Sequence, residues 1–264
     1  MRNILLLLSG LLLWTNGYAE TVSHELAEQS LQKSGIELFL KQTPIMLDHL
    51  LRAQNARTEE EQVLLRQASE RLQQQITFEQ LHQRLVNRLL QSGHSDYLKQ
   101  MNAALDSPLA KAMNEREKQA GSADGRQRLE EYREKVQLNP PRGTRVELVK
   151  RLDNASRTSQ ISVMLREQLT LSIRHAAEVL TQRPDGENPG AKELDQQVHE
   201  QLVKASRQQV ESFFLYSYRQ VPTAQLEQYV LLYEADATRW FMDQCLDAMR
   251  EFFTNQRNSF ATRP

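Results

Sequence analysis

Histidine and cysteine are the residues of this 264-residue sequence best suited to hold a metal ion or to act as nucleophiles. The one cysteine is Cys245, and the histidines are His24, His49, His82, His94, His175 and His199. No two histidines are four residues apart, and no second cysteine completes the spacing of a zinc site. Asp195 and His199 lie one helical turn apart, but without a further ligand they are best interpreted as a solvated acid–imidazole pair. We therefore predict no metal site.

The sequence also lacks a recognisable pattern for covalent or acid–base catalysis. Cys245 lies in an apolar helical segment, which favours a neutral and unreactive thiol. Glu227 and Glu234 are two helical turns apart, and a solvated stripe is the default interpretation of such a pair. Gly121 and Gly125 lie in a spacer and do not form a phosphate-binding loop. We predict no cofactor, and an enzyme with an unrecognised site is the least favoured hypothesis.

Aromatic residues are concentrated towards the C-terminus. The candidates for an apolar or partner-binding surface are Phe213, Phe214, Tyr218, Tyr229, Tyr233, Trp240, Phe252 and Phe253. One hypothesis is an apolar groove with tyrosine hydroxyls at its rim. The alternative, which the helical spacing favours, is that these side chains form the core. Adjacent residues such as Phe213 and Phe214 cannot both face inward on a narrow stripe, so one of each pair is expected to be exposed or interfacial.

The elements that would position these residues are predicted to be helices throughout. Leu, Gln, Glu, Arg and Ala dominate the sequence, and runs of β-branched residues are almost absent. The predicted fold class is therefore all-α. Exposed connections are expected at 120–125, 139–143 and 184–190, where glycine and proline cluster. Capping patterns predict four helix starts, at Thr43-Pro44, Thr58/Glu61, Thr77/Gln80 and Thr144/Glu147.

Residues 1–19 have the order of a secretory signal peptide. Arg2 precedes an apolar run over residues 4–14, which is shorter than the ~20 residues that a membrane-spanning helix needs. Gly17 and Ala19 are small residues at the −3 and −1 positions of a cleavage site. We predict a mature protein that begins at Glu20 in the periplasm or outside the cell. Its 32 basic and 34 acidic residues do not favour binding to nucleic acid.

Two segments of the chain resemble each other, which predicts an internal duplication. Residues 97–108 align with residues 225–236, so that Leu98 meets Leu226. The predicted architecture is two related antiparallel helical bundle units. The alternative is chance similarity between amphipathic helices. The predicted boundaries are a signal peptide at 1–19, a first unit at 20–120, a linker with a solvated helix at 121–143, an aromatic-rich second unit at 144–255 and a frayed tail at 256–264.

The two copies resemble a family of exported proteobacterial proteins, the domain of unknown function 2059. The second copy carries the motifs at 216–219, 222–226 and 233–240. The first copy keeps the serine-proline break of that family at 105–109, whereas Ala235-Asp236-Ala237 departs from it. The resemblance implies a helical, exported protein, and it assigns no catalytic residue.

These observations predict a non-enzymatic interaction module of the cell envelope. It would bind another protein through an exposed helical face, because the aromatic pairs are too wide for one core stripe. The alternative is a carrier of an apolar ligand in the aromatic C-terminal half. Neither hypothesis requires nucleic acid, or a transmembrane span after signal cleavage.

Overall fold

The computed structural model describes residues 21–54, 58–181 and 196–262. Within these ranges the chain forms twelve α-helices and no strand, which confirms the predicted all-α class. The predicted signal peptide, the connection at 184–190 and Asp195 lie outside the described residues.

The helices follow one another closely along the chain. In the first half they are α1 (His24–Ser34), α2 (Ile36–Arg52), α3 (Glu59–Gln75), α4 (Phe78–Leu90), α5 (Ser95–Leu105) and α6 (Pro108–Gly121). The next helix is α7 (Ala123–Leu138). The second half contains α8 (Gly143–Ser156), α9 (Thr158–Thr181), α10 (Gln196–Ser217), α11 (Thr223–Glu234) and α12 (Asp236–Thr262).

Two of the predicted helix starts follow from local capping chemistry. Thr58 and Glu61 form a reciprocal capping box at the start of α3, which satisfies backbone N–H groups that have no partner inside the helix. The Thr77 hydroxyl accepts a hydrogen bond from the backbone N–H of Gln80 at the start of α4. Both starts are confirmed.

The other two predicted starts are wrong. Thr43 and Pro44 lie inside α2, because the Thr43 hydroxyl donates to the Phe39 carbonyl over 2.8 Å instead of capping a new helix. Leu40 and Leu47 are fully buried on either side of the proline, so burial holds the two parts of α2 in one helix. The helix α8 begins one residue before Thr144 and has no side-chain cap.

The segment predicted as a linker is a helix that packs against its neighbours. On α7, Leu129 is buried and Tyr132 contacts Tyr216 of α10, with ring centroids 5.6 Å apart. The junction between α6 and α7 is a tight corner and not a flexible spacer. A Cβ atom on Gly125 would lie 2.6 Å from the Ala120 carbonyl oxygen, so only glycine fits at this position.

One core runs through both halves of the chain. The helix α12 packs against α4 and α5 of the first half and against α8, α9 and α11 of the second half. The helix α9 similarly contacts α2 and α3 as well as α10. The two predicted units are therefore packed together along their helices and are not joined only through residues 121–143.

Helix starts recur with the spacing that the predicted duplication requires. The helices α5 and α11 begin at Ser95 and Thr223, and α6 and α12 begin at Pro108 and Asp236, so the same separation applies to both pairs. Unrelated helical hairpins can share such a spacing. The duplication therefore stays a prediction.

The expected frayed tail at 256–264 is instead packed as far as it is described. The helix α12 continues to Thr262, and Gln256 and Phe260 are buried. The Gln256 amide accepts a hydrogen bond from the Ser172 hydroxyl and donates one to Gln75, each over 3.0 Å. These contacts with α9 and α3 hold the end of the helix, which sequence composition alone did not indicate.

Candidate functional site

The eight aromatic candidates lie mostly in the core. Phe214, Tyr218, Tyr229, Tyr233 and Phe253 are buried, whereas Phe213, Trp240 and Phe252 are half-buried and pack against the core. One residue of each adjacent phenylalanine pair is thus less buried than the other. The placement fits the core interpretation of the aromatic stripe, because five of the eight side chains are covered within a single chain.

Three of these tyrosines meet at Glu117 of α6. The Tyr218 hydroxyl donates to the Glu117 carboxylate. The Tyr229 hydroxyl lies 3.0 Å from both Glu117 Oε1 and Asn114 Oδ1, and its single proton serves one of them. The Tyr233 hydroxyl is 3.4 Å from that of Tyr229. These hydrogen bonds join α6 to α10 and α11.

Burial dominates the electrostatics of this cluster. It raises the pKa of Glu117, and the hydrogen bonds from Tyr218 and Tyr229 only partly oppose that shift. Burial also raises the pKa values of both tyrosines, and the nearby carboxylate reinforces the effect. A carboxylate that accepts a hydrogen bond from Tyr218 and lies within 3.0 Å of the Tyr229 hydroxyl is a satisfied buried acceptor. We interpret the Glu117 cluster as a joint between helices. Sequence reasoning missed Glu117, because it lies in a charged run in which nothing distinguishes it from its neighbours.

A more accessible site is a cleft of about 410 Å³ between α9 and α10. The two helices run antiparallel here and are tied together at both ends of the cleft. At one end the Ser206 hydroxyl donates to the Ser159 carbonyl over 3.2 Å. At the other end His199 is hydrogen-bonded to Glu167. The residues that line the cleft are Asp153, Asn154, Arg157, Ser159, Gln160, Val163, Met164, Glu167, Gln168, His199, Val203, Arg207 and Arg250.

The cleft combines apolar side chains with charged ones. Val163 and Met164 are almost fully buried on α9, and the half-buried Val203 faces them from α10. Arg207 of α10 and Arg250 of α12 also line the cleft. An apolar centre with a charged border is the usual composition of a protein-binding surface.

The corner between α8 and α9 forms one wall of the cleft. Arg157 has a positive φ of 57°, which is uncommon for a residue other than glycine. Its guanidinium holds this conformation by binding the Asp243 carboxylate of α12, with an Nε–Oδ1 distance of 2.9 Å. Asp153 accepts hydrogen bonds from the backbone N–H and hydroxyl of Ser159, over 2.8 and 2.7 Å. Burial raises the pKa of Asp153, while these bonds and the charge of Arg207 oppose that shift.

A second, more open depression of about 420 Å³ adjoins the cleft along α10. It shares His199, Val203 and Arg207 with the cleft, and it also includes Lys204 and Glu211. The helix α10 therefore presents one face to both depressions. Of the cleft-lining residues, sequence reasoning had singled out His199 alone, and it had paired that residue with Asp195 and not with Glu167.

The remaining candidates from the sequence are structural. Cys245 is buried, and burial raises the pKa of its thiol, as expected for an unreactive cysteine. Glu234 binds Arg151 through both carboxylate oxygens, over 2.9 and 2.7 Å. This hydrogen-bonded ion pair lowers the pKa of Glu234. Glu227 is exposed on the same helix.

Comparison with known proteins identifies no relative. No family model, curated protein or solved structure matches this chain. The resemblance to the domain of unknown function 2059 therefore stays a prediction. Within the described ranges, no three His, Cys, Asp or Glu side chains are placed to hold a metal ion. In the same part of the chain, every helix is too short or too polar to cross a membrane.

Proposed function

We propose that this protein is a non-enzymatic, exported protein of the cell envelope that binds another protein through the cleft between α9 and α10. The observation that carries the proposal is the cleft itself, in which Val163, Met164 and Val203 form an apolar floor bordered by arginines. Export rests on the predicted signal peptide, with Arg2 before an apolar run and Ala19 at the cleavage position.

This proposal moves the contact surface away from the aromatic residues. Tyr218, Tyr229 and Tyr233 have their hydroxyls engaged with Glu117 and with each other. The ring centroids are 5.8 Å apart for Tyr218 and Tyr229 and 5.2 Å apart for Tyr229 and Tyr233, so the rings pack on one another. Such packing favours a structural role over an apolar ligand site, and we do not propose the carrier function.

Site-specific photo-crosslinking in cells would test the proposal. Gln160 is exposed in the cleft and would be replaced by p-benzoylphenylalanine. The matched control is the same replacement at Gln42, which is exposed on α2, a helix that lends no residue to the cleft. We expect a discrete adduct with one envelope protein from position 160 and none from position 42. Equal labelling at both positions, or no adduct from position 160, would refute the proposed contact surface.

A further inference from the structure

The acidic side chains of the cleft are already engaged within the chain. Asp153 accepts two hydrogen bonds from Ser159, and Glu167 is bound by His199. These bonds hold the start of α9 and one end of the cleft.

The cations of α10 are not engaged in the same way. Lys204 and Arg207 are exposed, and neither forms an ion pair within 4.0 Å with any residue that the structure describes. Arg250 of α12 also lines the cleft, and it pairs with Asp247 of the same helix at 3.4 Å. Exposed pairs of this kind contribute little, about 0–1 kcal/mol, and exchange readily for a better partner. Of the arginines that line the cleft, Arg157 and Arg250 are therefore paired with carboxylates of α12, whereas Arg207 has no ion pair within 4.0 Å among the described residues.

Arg207 lines the cleft together with the apolar floor, and its charge also acts on Asp153. Val203 and Arg207 are one helical turn apart, and both line the cleft. A ligand that places an apolar group on Val203 and Val163 therefore brings its next polar group near Arg207. Arginine binds a carboxylate with two parallel hydrogen bonds, which gives geometric selectivity as well as attraction.

We infer that the cleft binds an acidic peptide segment of the partner, with an apolar side chain on the Val163, Met164 and Val203 floor and a neighbouring carboxylate on Arg207. This inference rests on the proposed function and adds the chemistry of the bound segment. A cleft of about 410 Å³ holds a few side chains of an extended segment and not a folded domain. Arg250 also lines the cleft, and Lys204 lines the adjoining depression together with Glu200 and Glu211.

The test uses the purified mature chain and the fluorescein-labelled peptide acetyl-Gly-Glu-Leu-Glu-Leu-Gly, with fluorescence anisotropy as the readout. We expect this peptide to bind at least about tenfold more tightly than its analogue with glutamine in place of glutamate. Its affinity should fall as salt is raised, because exposed charges are screened beyond about 10 Å at 0.1 M. Equal affinity for the two peptides, or no binding of either, would overturn the inference.

Variants separate the role of Arg207 from a general effect of positive charge. Arg207→Gln is expected to weaken binding of the acidic peptide by about tenfold and to leave the glutamine analogue unaffected. The matched control is Arg128→Gln on α7, where the arginine is 64% exposed and is not among the residues that line the cleft. Unchanged binding in Arg207→Gln, or an equal loss in both variants, would contradict the assignment. Circular dichroism would verify that each variant is folded.

The peptide-binding and crosslinking experiments together distinguish failure of this inference from failure of the proposed function. If crosslinks form from position 160 but the acidic peptide does not bind, the cleft binds a partner of different chemistry and the inference is wrong. If the peptide binds with the expected charge selectivity but no crosslink forms in cells, the charge preference of the cleft stands and the proposed function falls.

Discussion

Replacing Glu117 with glutamine tests whether burial of this carboxylate opposes folding at neutral pH. Tyr218 and Tyr229 both approach Oε1 of Glu117, and the amide oxygen of glutamine occupies the same position. The change therefore removes the charge and retains an acceptor for both hydroxyls. Because Tyr218 and Tyr229 are 0% exposed, the surrounding protein gives water little access to compensate the charge.

The expected effect depends on pH in a defined direction. Burial raises the pKa of Glu117 above its ordinary value of 4.5, so the folded protein retains this proton at pH values where the unfolded chain has lost it. The resulting stabilisation is complete below about pH 4.5 and is lost as pH rises through the folded-state pKa. Each unit of upward shift is worth about 1.4 kcal/mol. We expect Glu117→Gln to leave the free energy of unfolding almost unchanged at pH 4. At pH 8 the same substitution should raise the free energy of unfolding by about 1 kcal/mol or more.

Urea unfolding followed by circular dichroism at both pH values would measure this difference. At each pH, the wild-type free energy of unfolding is subtracted from that of the variant. This difference cancels the contributions of other titrating groups, including Asp153, because burial also raises the pKa of that residue. The control is Glu115→Gln on the same helix, where the carboxylate is 61% exposed and pairs with Lys118. That variant should change stability by less than about 0.5 kcal/mol at either pH. A larger loss of stability for Glu117→Gln at pH 8 than at pH 4 would show that the ionised carboxylate stabilises the joint, and would refute the reasoning.

Two further substitutions test the α6–α7 corner and the end of α12. Gly125→Ala should lower the free energy of unfolding by about 2 kcal/mol, because the added Cβ would meet the carbonyls of Gln119 and Ala120. The control is Gly121→Ala, where the added Cβ has open space and should raise the free energy of unfolding by about 0.5–1 kcal/mol. Thermal unfolding would compare the two variants, and a shift of the same sign in both would exclude the steric explanation. Phe260→Ala should lower the free energy of urea unfolding by about 3 kcal/mol, because this ring is 2% exposed. A change below about 0.5 kcal/mol would instead match the frayed tail that the sequence predicted.

We interpret the Glu117 joint as structural, and we propose the α9–α10 cleft as the binding surface. Tyr218 and Tyr229, which the sequence offered as surface candidates while favouring a core position, lie at the joint beside the buried Glu117 carboxylate. The residues that we propose as the contact surface include Val203 and Arg207 on one face of α10. Of the side chains in the proposed contact, Arg207 is exposed, whereas Val163 and Met164 of the floor are almost fully buried.

The all-α class and several helix starts follow from the sequence by itself. Helix formers dominate the composition, and this preference accumulates along each helix without reference to the rest of the fold. The boundaries at Thr58 and Thr77 depend on contacts between residues three apart, which capping rules describe. The burial of Cys245 follows from its apolar neighbours along one helix. Each of these features is decided by residues close together in the chain.

Only the tertiary structure decided which helix faces are covered and which polar side chains meet. Thr43 and Pro44 resemble a helix start, but burial of Leu40 and Leu47 keeps α2 continuous through them. Glu117 is one charged residue among many until α10 and α11 bring three tyrosines to it. His199 and Glu167 are far apart in the chain and meet because α9 and α10 run antiparallel. The physical reason is that partners from distant segments set burial and hydrogen bonding, and the periodicity of one helix carries no information about them.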